Sequence, residues 1–215
     1  MFLSKVRTQY EQRSIWFGKY CSKLSSNPDV FSLIGTGCGI IAGLYLWHRY
    51  FFSAVVFILL SGLGDMADGA VARFLHKQHS FGTVFDRVND RYVEFFVVLG
   101  CMGSGRVHPA WAMFALFGAF MASYTRACAE SAGKVNNCSI GFMERQEKAG
   151  LLMLGILLEP FCNPHGLLAA SLNPFPYRIA EGFLILQFLI IIIGLLSHFT
   201  VYQRLLHARK HENER

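Results

Sequence analysis

Residues 64–94 read GDMADGAVARFLHKQHSFGTVFDRVNDRYVE, with Asp65, Asp68, Arg73, Asp86, Arg87, Asp90 and Arg91 set in or beside otherwise apolar runs. An ionised group placed in hydrocarbon costs about 2.5 to 3.5 kcal/mol on insertion scales, so this many together need a compensating purpose. Asp65 and Asp68 are three apart and Asp86 and Asp90 four apart, spacings that put each pair on one face of a helix. Two such pairs facing each other make an oxygen-rich cage. Hard divalent ions such as Mg²⁺ or Mn²⁺ suit that donor set and also bind phosphate, and four carboxylates predict two ions. Gly69 and Gly82 would let a bulky group or a neighbouring helix approach the backbone. The fork of donors on Arg73, just beyond Asp68, suits a phosphate oxygen. A salt-bridge network of the aspartates with Arg73, Arg87 and Arg91 is the structural alternative.

The rest of the 215 residues supports a membrane setting: 53% are hydrophobic and 16% charged, and the apolar residues gather into long runs. A bilayer crossing needs about 20 mostly apolar residues. The runs predict six membrane helices at about 30–48, 50–74, 82–104, 108–128, 148–162 and 177–203. Before them, Phe2, Leu3, Val6, Tyr10, Ile15, Trp16 and Tyr20 alternate with Lys5, Arg7, Arg13, Lys19 and Lys23, a pattern for an amphipathic helix on the membrane surface. Asn27-Pro28-Asp29 breaks it and starts the next helix. The expected organisation is a juxtamembrane helix over 1–26, a six-helix domain over 27–205 and a polar cytoplasmic tail over 206–215. No cleavable leader is expected from the mixed charged and apolar N-terminus.

The net charge of +6 need not mean nucleic acid, because basic residues in a membrane protein first report orientation and contact with anionic lipid. With six crossings, only Arg49, Arg106 and Arg178 fall on the side opposite the termini. The termini and the loops at about 74–81 and 129–147 are therefore expected at the cytoplasmic face. The six cysteines lack CxxC pairs and read as small apolar fillers.

The stretch resembles the CDP-alcohol phosphotransferase family, whose signature is met in full by Asp65, Asp68, Gly69, Ala72, Arg73, Gly82, Asp86 and Asp90. Eight fixed positions match by chance on the order of once in 10⁹ windows. The resemblance implies an all-α, six-helix integral membrane enzyme, homodimeric, that binds a CDP-linked lipid at the cytoplasmic face and releases CMP. By position it makes Asp65, Asp68, Asp86 and Asp90 metal ligands, with Asp90 also the general base. It places Gly69, Arg73, Ser80 and Gly82 with Asp65 and Asp68 at the CDP-lipid, and Ser32 beside them, where the family has threonine. Neither a covalent enzyme intermediate nor nucleic acid is implied.

A second cluster bears on the acceptor. Ser123-Tyr124-Thr125-Arg126-Ala127-Cys128-Ala129-Glu130 and Gly141-Phe142-Met143-Glu144-Arg145-Gln146-Glu147-Lys148 resemble segments around the inositol-phosphate site of phosphatidylinositol-phosphate synthases. Cys128 and Lys148 stand where that group has basic residues and a second arginine. Arg126, Lys134, Arg145 and Lys148 would attract a phosphorylated polyol, with inositol phosphate expected and glycerol 3-phosphate the alternative. Two other classes use intramembrane aspartates. An ion or proton transporter would need acidic relays across the membrane, whereas here only Glu159 and Glu181 lie near the opposite side. A membrane prenyltransferase separates its aspartate motifs further along the chain.

Overall fold

The computed structural model describes residues 16–77, 80–132, 140–141, 145–162 and 185–213. Six long helices follow a helical stretch at 16–21. They are α1 (Pro28–Trp47), α2 (Phe51–Phe74), α3 (Ser80–Gly103), α4 (Pro109–Ser131), α5 (Arg145–Cys162) and α6 (Ile185–Asn213). No strand occurs among the described residues. The first five lie within three residues of the sequence expectation. The sixth runs on to Asn213, past the expected end at 203 and through most of the expected polar tail.

Local chemistry sets the ends. Asn27 Oδ1 accepts from the Asp29 amide at 3.2 Å, and Pro28 takes the first helical position, where its missing N–H costs nothing. His108 Nδ1 caps α4 in the same way through the Ala110 amide, ahead of Pro109. α1 and α2 end in Schellman turns. The amides of Arg49 and Tyr50 donate to Leu46 and Tyr45, and those of His76 and Lys77 to Arg73 and Ala72. Arg49 and His76 take the left-handed position at φ 64° and 52°, where glycine is the usual occupant.

Among the described residues, four helices are long and apolar enough to cross a membrane: α1, α2, α4 and Ile185–Lys210 of α6. Six crossings were expected. α3 has the length, but Asp86, Arg87, Asp90, Arg91 and Glu94 lower its hydropathy, and α5 is short and begins with Arg145, Glu147 and Lys148. The apolar helices carry exposed large side chains, including Leu44, Phe117 and Leu195, each more than half accessible. So much exposed apolar surface marks contact with lipid rather than water.

The chain divides into two compact units, residues 1–42 with 56–97, and residues 43–55 with 98–215. In the first, helices approach through glycine. A methyl on Gly64 would stand 2.8 Å from Gly35 Cα and 3.0 Å from Phe31 O, and one on Gly39 would meet Val93 at 2.8 Å. Cys21, Ala67 and Val71 form a core there with Phe17, Phe31 and Leu75. Hence the 16–21 stretch buries Phe17 and Cys21 on α2 and leaves Trp16 and Tyr20 exposed. Gly64→Leu should force α1 and α2 apart next to Asp65. We expect a loss of roughly 1 to 3 kcal/mol in detergent unfolding, typical of overpacking, with activity falling further than folded content.

In the second unit α4 packs on α6, and α6 also on α5. The buried face of α4 is Ala112, Ala115, Leu116, Gly118, Ala119, Ala122, Thr125 and Ala129, the small residues that allow close packing in lipid. His198 of α6 stacks on Phe114 at 4.5 Å and fills the space that Gly118 leaves open. The described cysteines are free thiols, and Cys138 lies outside the described residues.

Candidate metal centre and adjoining cleft

α2 presents Asp65 and Asp68 one turn apart, and α3 presents Asp86. One carboxylate oxygen from each of the three lies within 4.8 Å of the other two. The glycine contact of α1 with α2 at Gly35 and Gly64 sits directly before Asp65 and brings Ser32 of α1 to the same level. The Ser32 hydroxyl donates to Asp68 Oδ2, both residues being buried. Asp65 lies beside Asp86, and Asp90, one turn further along α3, is close enough to act on Asp86 electrostatically without joining the group of three.

Like charges at this separation repel by about 3 kcal/mol per pair at an effective dielectric of about 20. Carboxylates gathered in this way make a candidate cation site. Its donors are oxygens only, with no cysteine or histidine among them, the preference of Mg²⁺ and Mn²⁺.

Beside the carboxylates lies a cleft of about 260 Å³. α1 contributes Pro28, Asp29 and Ser32, and α2 contributes Asp68, Gly69, Ala72 and Arg73. Lys77 follows from the turn after α2, and Gly82, Thr83 and Asp86 come from the first turns of α3. A side chain at Gly69 would stand 3.2 Å from Arg73 Nη1, so its absence lets the guanidinium lie back along α2 into the cleft. The lining combines the carboxylates Asp29, Asp68 and Asp86 with the cations Arg73 and Lys77. The volume lies just below the range of about 300 to 1,000 Å³ for drug-sized ligands.

The structure brings Ser32, Asp68, Gly69, Arg73, Gly82 and Asp86 to one cleft with Asp65 at its acidic end. Ser80 opens α3, is exposed, and is not among the lining residues. Arg126 pairs with Glu130 along its own helix at 2.9 Å, and Lys148 is buried in the first turn of α5. Lys134 and the side chain of Arg145 lie outside the described residues. Sequence reasoning missed Lys77 and Thr83 in the cleft. It also counted Arg204 only among the basic residues on the side of the termini. Arg204 is buried, with Nε donating to Ile140 O at 2.8 Å and Nη1 to Ala122 O, so it ties the residues before Arg145 to the turn of α4 that precedes Arg126.

Comparison with known proteins agrees with this geometry. The sequence profile of the family described as CDP-alcohol phosphatidyltransferase matches residues 26–206. The chain is similar to the archaetidylinositol phosphate synthase of Pyrococcus horikoshii, 28% identical over 157 residues that cover 73% of this chain and 83% of the relative. It is similar also to the phosphatidylinositol phosphate synthase of Streptomyces avermitilis, 27% identical over 209 residues, 92% of this chain and 78% of the relative. Its fold is like that of the crystal structure of Mycobacterium tuberculosis phosphatidylinositol phosphate synthase with CDP-DAG bound, at a TM-score of 0.70 and 23% identity, covering 91% of this chain and 92% of that one. A structure of the same mycobacterial protein in complex with manganese and citrate gives a TM-score of 0.69 at 24% identity, over 91% of this chain and 88% of that one. With the profile spanning most of its length and the signature carboxylates gathered beside a cleft, the chain belongs to the CDP-alcohol phosphatidyltransferase family of phospholipid-synthesising enzymes.

Proposed function

We propose that this transferase moves a phosphatidyl-type group from a CDP-linked lipid to the hydroxyl of a phosphorylated polyol, inositol phosphate, and releases CMP. The observation that carries the reading is the three-carboxylate cluster opening onto a cleft that also holds Arg73. The names of the similar synthases support the acceptor.

Divalent ions, Mg²⁺ or Mn²⁺ and two in number, held by Asp65, Asp68 and Asp86 with Asp90, would neutralise the diphosphate and the charge developing on leaving CMP. Ser32 fixes the orientation of Asp68. Arg73 binds a phosphate oxygen, and Gly69 and Gly82 leave room for the cytidine part. Asp90 takes the proton from the acceptor hydroxyl. The acceptor oxygen bonds to the β-phosphorus as that atom's bond to the bridging oxygen breaks, and CMP leaves with the bridging oxygen. Arg126, Lys134, Arg145 and Lys148 bind the acceptor phosphate.

The same reading takes α3 and α5 as crossings five and six alongside the four apolar helices. It puts the acidic cluster and both termini at the cytoplasmic face, where the basic residues concentrate, and it treats 27–205 as the catalytic domain of a homodimer.

Detergent-purified protein supplied with CDP-diacylglycerol and Mg²⁺ should turn over inositol phosphate in preference to glycerol 3-phosphate, serine and free inositol. Arg126→Ala and Lys148→Ala should each raise the acceptor KM about tenfold and leave the CDP-lipid KM nearly unchanged, as expected for losing one charge-assisted contact. Preference for glycerol 3-phosphate would reassign the acceptor, and equal loss for both substrates would remove these residues from its site.

A further inference from the structure

Beyond Arg73, the cleft contains a second cation that the family signature does not include. Lys77 follows the end of α2, and its placement rests on the backbone there. The His76 amide donates to Arg73 O at 3.3 Å and the Lys77 amide to Ala72 O at 3.0 Å, the paired bonds of a Schellman turn. That turn requires a left-handed residue before Lys77, and the occupant is His76 at φ 52°. A side chain with a Cβ is strained in that region, and a strained position that persists points to a use for the geometry it creates. Here the geometry turns the chain back over the cleft. Lys77 lines it, and Nζ reaches Ser26 O at 3.1 Å, just before α1 begins. The ammonium therefore sits at the rim, with Arg73 about one helical turn further in towards Asp68 and Asp86.

We propose that Lys77 is a donor-binding residue of this enzyme: its ammonium leaves Ser26 O and takes a phosphate oxygen of the CDP group, on the cytidine side of the oxygens held by Arg73. This rests on the cytidine-diphosphate reading above and deepens it. An ammonium is a compact, strongly hydrated charge on a flexible stem, suited to exchanging a carbonyl partner for a phosphate. The carbonyl of Ser26 is neutral and solvent-accessible, so it holds the lysine at the rim without competing strongly with an anion. His76 acts through the backbone alone, as the residue that aims Lys77.

The test compares wild type, Lys77→Met and Lys77→Arg in detergent with Mg²⁺, by calorimetric titration with CDP and with cytidine and by steady-state KM for CDP-diacylglycerol and acceptor. Lys77→Met keeps the stem and removes the charge. It should weaken CDP binding and raise the CDP-lipid KM about tenfold, consistent with losing one charge-assisted bond, while cytidine affinity and acceptor KM stay as in wild type. Lys77→Arg should restore most of the loss. CDP affinity in Lys77→Met equal to wild type would overturn the inference and leave the donor reading intact. Equal weakening of CDP and cytidine would also overturn it, by showing a structural role. Wild-type protein that does not bind CDP would remove the donor reading and this inference with it.

Discussion

Asp86→Asn should leave the protein more stable without metal and nearly inactive with it. Three carboxylates sharing a space of 4.8 Å repel one another, and the amide keeps the shape of the side chain while removing one charge. At about 3 kcal/mol per like-charged pair before screening, the metal-free midpoint should rise by roughly 2 to 8 °C. Metal should then act in the opposite sense on the two proteins. Wild type gains stability on adding Mg²⁺ or Mn²⁺, because an ion that binds only the folded state stabilises it by mass action. Asp86→Asn gains little. Charge stabilisation of several kcal/mol at the transition state corresponds to a loss on the order of 10³ in CMP release. Thermal midpoints over a metal titration, read beside initial rates, check both halves. A variant that lost stability without metal and kept its metal response would show that Asp86 serves packing and not an ion.

The second large effect lies in the other compact unit. Glu159 is fully buried, pairs through Oε1 with buried Arg106 at 3.5 Å, and accepts through Oε2 from the Leu186 amide at 3.0 Å in the first turn of α6. Arg49 reaches the same corner, donating through Nε to Ser104 O at 2.8 Å. Burial and the charge of Arg106 hold the Arg49 guanidinium below its ordinary pKa. Glu159→Ala leaves two crowded guanidinium groups without their carboxylate and an amide at the start of α6 without its acceptor. Removing one partner of a buried pair costs about 3 to 5 kcal/mol, so the unfolding midpoint should drop by roughly 10 °C or more. The double variant Glu159→Leu with Arg106→Met should recover much of that loss, because apolar side chains of similar volume need no compensation in this setting. Unfolding in detergent, followed by tryptophan fluorescence, measures both. A double variant as unstable as the single one would show that the pair itself, rather than an abandoned charge, stabilises this corner.

The part of the site that could be read from sequence is the part carried by spacing along one helix. Asp65 with Asp68 and Asp86 with Asp90 each occupy one face, and their cost in lipid is what made them conspicuous. The same charges lower the hydropathy of α3, which the sequence reading counted as a crossing and which is not among the four helices apolar enough to cross a membrane. Contacts between elements were less legible. Gly35 and Gly64 meet because two helices cross there, and neither position is unusual within its own run. Lys77 looked like an ordinary loop charge because the turn that aims it uses His76 where glycine is the usual residue. Arg204 was visible only as one of the basic residues near the end of the last helix, and its two carbonyl partners, Ala122 and Ile140, lie far away in sequence. Glu159, read only as a residue near the opposite side, is the carboxylate on which the Arg106 corner depends.

The most direct test follows CMP and lipid product together in one reaction, with purified protein, CDP-diacylglycerol, inositol phosphate and either Mg²⁺, Mn²⁺ or chelator. The account predicts one CMP for each phosphatidylated product, no CMP without acceptor, loss of both with chelator or in Asp90→Asn, and recovery from chelation when the metal is returned. CMP released without acceptor, or at wild-type rates in Asp90→Asn, would contradict direct transfer to an acceptor activated at the aspartate cluster.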